Sequence, residues 1–323
     1  MYNERDSNYI PILNLLRAIA CLAVLLMHMH YLAGLSEFPY TGKLFSMGQQ
    51  GVNIFFVISG FVIPYSMWNA GYQIKDFFRY ILKRSIRIDP PYLLVILICL
   101  IAGIFTTKFA FDFQKVLLHL FYLIPFSGFQ WYQSVFWTLG VEFQFYLLIG
   151  LLLPALQKGN TYLLVLALVS LSWTAYYAPT PDPKSFYILR SLHFFCIGVL
   201  LLLNRKQKLS NWLFHIALFA IIIFLIFKIT LVTGIACYAT ALLIKYSKFE
   251  NPISNFFSKI SYSLYIIHFL SAEFVIYLLS GVSIAPYLLF TILIITGILS
   301  GYLLYIIIEK PSLKWSKKIE THS

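Results

Sequence analysis

The stretch Ile10-Pro-Ile-Leu-Asn-Leu-Leu-Arg17-Ala-Ile-Ala-Cys21-Leu-Ala-Val-Leu-Leu-Met-His28-Met-His30-Tyr-Leu-Ala33 decides the fold. Arg17 is its one permanently charged residue. About 20 mostly apolar residues cross a bilayer as a helix, so this run reads as a transmembrane span. It is longer than the apolar core of a signal peptide and shows no small-residue cleavage site, so it is expected to remain in the chain.

Nine further segments read the same way: 48–70, 90–106, 135–157, 161–178, 185–204, 210–228, 230–246, 259–281 and 284–308. The third, fifth and eighth of the ten are short. Composition agrees. Of 323 residues, 60% are hydrophobic and 11% charged, and mean hydropathy is +0.80. A soluble protein carries about 25% charged residues, and a disordered chain is poor in apolar ones. Lipid does not tolerate unpaired backbone, so the spans are helices. The expected fold is an all-α polytopic integral membrane protein of about ten transmembrane helices. A single transmembrane domain is expected over 9–315, with a short cytoplasmic tail over 316–323.

The net charge is +12, but the cations lie in short runs between apolar segments rather than on one soluble face, which argues against nucleic-acid binding. With the N-terminus in the cytoplasm, seventeen Lys and Arg fall in inside segments, Lys75 to Arg87 and Lys310 to Lys318 prominent among them. Five (Lys43, Lys108, Lys115, Lys184, Lys228) fall outside. Cytoplasmic loops are the cation-rich ones, so both termini are expected to be cytoplasmic. The longest outside connection, 107–134, is aromatic and is expected to hold an interfacial helix. The four cysteines lie within apolar runs as small buried hydrophobes, and no zinc site or disulfide framework is expected.

Ionisable residues within spans are costly and face a cavity or a partner. Arg17 and His28 are eleven residues apart, about three helical turns, so they share one face about 16 Å apart along the axis. His28 is either a hydrogen-bonded core histidine or a reactive imidazole. His30, about 200° round the helix from it, is expected at the outer interface. Glu142 lies at a depth similar to that of His28 on a helix of opposite direction. It is either a structural partner of an Arg or the carboxylate that orients His28. Arg84 and Arg87 are spaced i, i+3 and suit phosphate through forked donors, or act as a topology and lipid-headgroup signal. Arg190 and His193 share the same spacing, and either contact an acceptor or pair with a carboxylate. His268, three residues after Tyr265, belongs to an interhelical network or to the chemistry. His119 and His215 have no companions that point to chemistry. Phosphate-loop, dinucleotide-binding, HExxH and GxSxG patterns are all missing.

Seven motifs in order resemble the membrane-bound acyltransferase-3 family, whose bacterial members O-acylate surface polysaccharides. They are Arg17 with ten residues to His28; Gly51-Val-Asn53-Ile-Phe-Phe-Val-Ile-Ser59-Gly60-Phe61; Lys83-Arg84-Ser-Ile-Arg87-Ile-Asp89-Pro90; Trp137-Thr-Leu-Gly-Val-Glu142-Phe-Gln144-Phe-Tyr146; Arg190 through Gly198; Ser261-Tyr262-Ser-Leu-Tyr265-Ile-Ile-His268; and Glu309-Lys310-Pro311. Asn53 stands where the family often has Asp, and Phe143 where Glu is common.

The resemblance implies an acyl-CoA-dependent O-acyltransferase of the inner membrane. Its donor would be cytoplasmic acyl-CoA, most often acetyl-CoA, as a substrate rather than a resident cofactor. Its acceptor would be a hydroxyl of a surface or lipid-linked glycan. Arg84, Arg87 and Lys83 would hold the CoA phosphates, and Arg17 would line the passage of the thioester arm. His28, supported by Glu142, would take the hydroxyl proton. Arg190, Tyr265, His268 and Asn53 would meet the acceptor or the oxyanion. Direct transfer is preferred over a transient acyl-histidine. The competing expectation is a transporter or flippase for a glycan or lipid intermediate, although inverted repeats and broken helices are not evident.

Overall fold

A computed structural model describes residues 9–36, 38–105, 109–177 and 188–319. Arg5, Lys108, Lys184, the first residues of the expected 185–204 span and residues 320–323 lie outside them. The described residues form thirteen α-helices and no strand. They are α1 (Ile12–Leu32), α2 (Pro39–Ser46), α3 (Gln50–Asn69), α4 (Phe77–Phe105), α5 (Phe113–Leu120), α6 (Trp137–Lys158), α7 (Thr161–Thr174), α8 (Leu192–Arg205), α9 (Asn211–Lys228), α10 (Leu231–Tyr246), α11 (Pro252–Leu278), α12 (Pro286–Leu304) and α13 (Lys310–Lys317).

All ten apolar segments are helical where described. Eight elements among the described residues are long and apolar enough to cross a membrane; Thr161–Tyr177 and Leu231–Tyr246 are shorter apolar helices. Large apolar side chains such as Phe78, Ile104 and Phe227 point outward, the arrangement expected of a protein solvated by lipid. This is an all-α polytopic membrane protein.

Local chemistry sets the helix ends. Asn251 caps α11, its side chain accepting from the Ser254 amide at 2.8 Å, with Pro252 in the first turn. α1 stops where Gly34 takes a φ of +73°, and the Leu35 amide returns to the His30 carbonyl at 3.1 Å.

Two expected boundaries are wrong for one reason. The third span does not begin at the Pro90-Pro91 pair. α4 runs through both prolines from Phe77, so the 83–91 segment is helix rather than a cytoplasmic loop. The last helix does not stop at 308. It passes through a π-turn at Tyr305–Glu309 into α13, making one element from Pro286 to Lys317. The expected tail therefore begins inside a helix, and Ser316 is buried. In both places charged residues turn inward to a cavity, so charge does not mark the end of the span.

α1 is central, packed against α3, α11 and α12. α3 lies on α8 so closely that a Cβ on Gly198 would collide with the Gly60 backbone. α4 and α6 pack together, with α13 against α4 and α11 beside them. These helices, with α1 and α3, enclose the site.

Candidate active site

A cavity of about 950 Å³, including its mouth, runs inside this cage. On α3 its lining extends from Ile63 to Val52, about 16 Å of helix. Three guanidinium groups enter it, Arg17 from α1 and Arg84 and Arg87 from α4, and they face two carboxylates, Glu142 and Glu309. Arg17 is close enough to Glu142, Arg84 and Glu309 to act on them electrostatically, and Arg87 to Arg84, Arg17 and Glu309. Arg84 also lies over the Tyr146 ring, 5.2 Å from its centroid.

Arg84 and Arg87 also line a second cavity of about 730 Å³, including its open mouth, with Lys83, Lys317, Ser316, Tyr72 and Tyr80. Among the described residues, no carboxylate lines that one. The two arginines therefore stand at the junction of a cationic vestibule and an elongated inner chamber. One guanidinium beyond the carboxylates, in a low-dielectric setting, favours an anionic guest.

The helices explain the placement. The i, i+3 spacing puts Arg84 and Arg87 on one face of α4, as the sequence predicts. Glu309 holds its position by accepting from the Ser263 amide at 3.2 Å and the Ser263 hydroxyl at 2.5 Å. A span that ends at 308 leaves Glu309 outside the bundle, which is why sequence reasoning misses it as a site residue. A signal exists nonetheless: the Glu309-Lys310-Pro311 motif singles it out.

The expected contact between His28 and Glu142 is corrected. Glu142 accepts from Ser59 Oγ at 2.7 Å and lies within electrostatic reach of Arg17. His28 instead meets His268, with Nδ1 and Nε2 2.8 Å apart. Depth along a helix does not say which neighbour its face meets. The inner chamber ends at Tyr265 and Phe55, whose rings are 6.0 Å apart. His268 lies one turn beyond Tyr265 on α11. The histidine pair thus sits about one helical turn past the chamber.

The remaining residues separate. Asn53 donates to Gln50 Oε1 at 2.8 Å and is not part of the chamber lining. Arg190 is exposed on the 3-10 turn Ile188–Ser191. His193 is buried against Phe194 and Phe224, so the two do not act from one face. His30 is buried and stacks on Phe45 at 4.5 Å instead of facing an interface. Glu273 accepts from Gln133 at 3.2 Å. His119 bridges two backbone groups: its Nδ1–H donates to the Lys115 carbonyl at 2.8 Å and its Nε2 accepts from the Tyr132 amide at 3.1 Å. Burial pushes this imidazole down to about 4, against the opposing effect of the Lys115 bond.

Fold and cavity define a membrane protein with a buried cationic chamber. The family profile described as Acyltransferase domain matches residues 10–306, and the chain belongs to that acyltransferase-3 family. It is 27% identical over 249 residues to a protein of Shigella phage Sf6 named O-acetyl transferase, a match covering 70% of this chain and 68% of the relative. No solved structure matches.

Proposed function

We propose that this protein transfers an acyl group, acetyl first of all, from cytoplasmic acyl-CoA to a hydroxyl of a surface or lipid-linked glycan, working in the inner membrane. The observation that carries this is the junction of the two cavities at Arg84 and Arg87. Forked donors at the neck of a cationic vestibule suit the phosphates of CoA. Lys83 and Lys317 add charge at the mouth. The chamber beyond is elongated and passes Arg17, which suits an extended arm carrying a thioester. The family membership and the relative's name support acyl transfer to oxygen.

In this reading His28, which is only partly buried, is the general base, and the thioester end of the arm passes Tyr265 to reach it. A sugar hydroxyl is a weak nucleophile near neutral pH and must lose its proton as it attacks. Its oxygen bonds the thioester carbonyl carbon, the carbon–sulfur bond breaks, and the proton passes to the departing thiolate. Glu142 balances Arg17 instead of orienting His28. Of the proposed acceptor and oxyanion residues, Tyr265 lines the end of the chamber and His268 lies one turn beyond it, against His28. Arg190 and Asn53 stand apart from it.

The test uses purified protein in lipid with radiolabelled acetyl-CoA. Wild type should transfer or slowly hydrolyse the acetyl group, whereas a transporter would do neither. His28→Ala should lose about 10²-fold or more in rate while still inserting. Arg87→Ala should chiefly raise KM for acetyl-CoA. A His28→Ala protein with wild-type rate would overturn the base assignment. Comparing surface-glycan acetylation in a deletion strain and its parent by NMR would identify the acceptor.

A further inference from the structure

The pair formed by His28 and His268 carries more information than a contact. His268 is buried in α11, and its Nδ1 lies 3.0 Å from the Leu264 carbonyl oxygen. A carbonyl only accepts, so Nδ1 of His268 bears the hydrogen. A neutral imidazole has a single N–H, which leaves a lone pair on His268 Nε2. That lone pair faces His28 Nδ1 at 2.8 Å. Two lone pairs at this distance would repel, so His28 Nδ1 is the donor. The free lone pair of His28 is then on Nε2.

We infer that His268 is a positioning residue that holds His28 in its Nδ1–H tautomer and so makes Nε2 the atom that takes the acceptor's proton. Free histidine favours the other tautomer, with hydrogen on Nε2, so the preference must come from the neighbour. The chain Leu264 carbonyl, His268, His28 has the logic of a carboxylate behind a catalytic imidazole, with a second imidazole in the carboxylate's place. The surroundings fix the geometry. The two rings are nearly parallel, 13° between planes, and Phe269 stands edge-on to His28 at 5.4 Å. Behind His268, Gly297 of α12 leaves room for its Cβ.

During transfer the hydroxyl proton moves to His28 Nε2 as the new carbon–oxygen bond forms. It leaves again to the CoA sulfur as the carbon–sulfur bond breaks. The Nδ1 hydrogen stays on His28 throughout, and His268 neither gains nor loses a proton. The inference rests on the reading of His28 as the base, and the experiment separates the two.

Wild type, His28→Ala, His268→Leu and His268→Gln are assayed in lipid for kcat and KM with acetyl-CoA. Glutamine places an acceptor oxygen near the position of Nε2; leucine offers none. The Leu variant should lose about 10²-fold in kcat with little change in KM, and the Gln variant should return to within about tenfold of wild type. Independently, protein carrying 15N-labelled imidazole is examined by NMR, with the His28 signals assigned by their loss in His28→Ala. Wild type should show His28 protonated on Nδ1 and bare on Nε2. An inactive His28→Ala with a fully active His268→Leu would overturn this inference alone. So would a Gln variant no better than Leu, or a wild-type spectrum with the hydrogen on Nε2. An active His28→Ala would remove the base reading and this inference together.

Discussion

At the scale of single residues, Glu309 is the most consequential side chain in the chamber. It is buried, bonded twice to Ser263, and faces Arg17 and Arg87. Burying a guanidinium without its counter-charge is costly, and removing one partner of a buried pair typically loses about 3–5 kcal/mol. Glu309→Gln keeps the shape and loses the charge. Its expected effect is a loss of about 3 kcal/mol, read as a lower Tm in detergent by a thiol-reactive dye. The four cysteines are all buried, so they report unfolding. Arg17 and Glu142 are legible in the sequence as inward-facing, because a charge within an apolar run must find a cavity or a partner; Arg84 and Arg87 are legible as a phosphate-suited or headgroup-facing pair, and the continuous α4 turns them inward. Glu309 is marked in the sequence only by its motif with Lys310 and Pro311, because it sits just past the expected end of its span.

At the scale of elements, the segment joining α4 to α6 depends on one histidine. His119 is neutral between the Lys115 carbonyl and the Tyr132 amide, and its ring stacks on Tyr132 at 4.6 Å. Its folded pKa is depressed to about 4, below the usual value near 6.5. The unfolded segment therefore binds the proton more readily. Stability is full above about pH 6.5, falls as pH drops toward 4, and levels off below. The loss is up to about 3 kcal/mol. Amide hydrogen exchange over 113–133 should rise across that window once corrected for intrinsic rates, and His119→Gln should flatten the change. The helix expected in this connection exists as α5, capped by Asp112, which accepts from the Lys115 amide at 2.8 Å. The boundaries of α4 and of α12 with α13 escape a local reading because proline and charge usually end a span. Here the prolines continue the helix and the charges serve a cavity.

At the scale of the whole molecule, the cationic vestibule and the charged end of α13 lie on the same end of the bundle, where Arg84, Arg87 and Lys317 meet. If that end is cytoplasmic, the donor enters from the compartment that contains acyl-CoA. A fluorescent protein fused after residue 323 should fold and fluoresce, and alkaline phosphatase at the same place should stay inactive. The opposite result would place the vestibule outside and remove the donor assignment.

The sequence by itself determined that this is a polytopic helical membrane protein, where its apolar helices run, and the family to which it belongs. Those properties are local: hydropathy over about 20 residues selects a span, and helical periodicity assigns each side chain to a face. Only the tertiary structure decided that His28 meets His268 rather than Glu142, that Glu309 completes the charge balance, and that the chamber stops at Tyr265. Periodicity says which residues share a face, but the rotation and packing of neighbouring helices decide what that face touches.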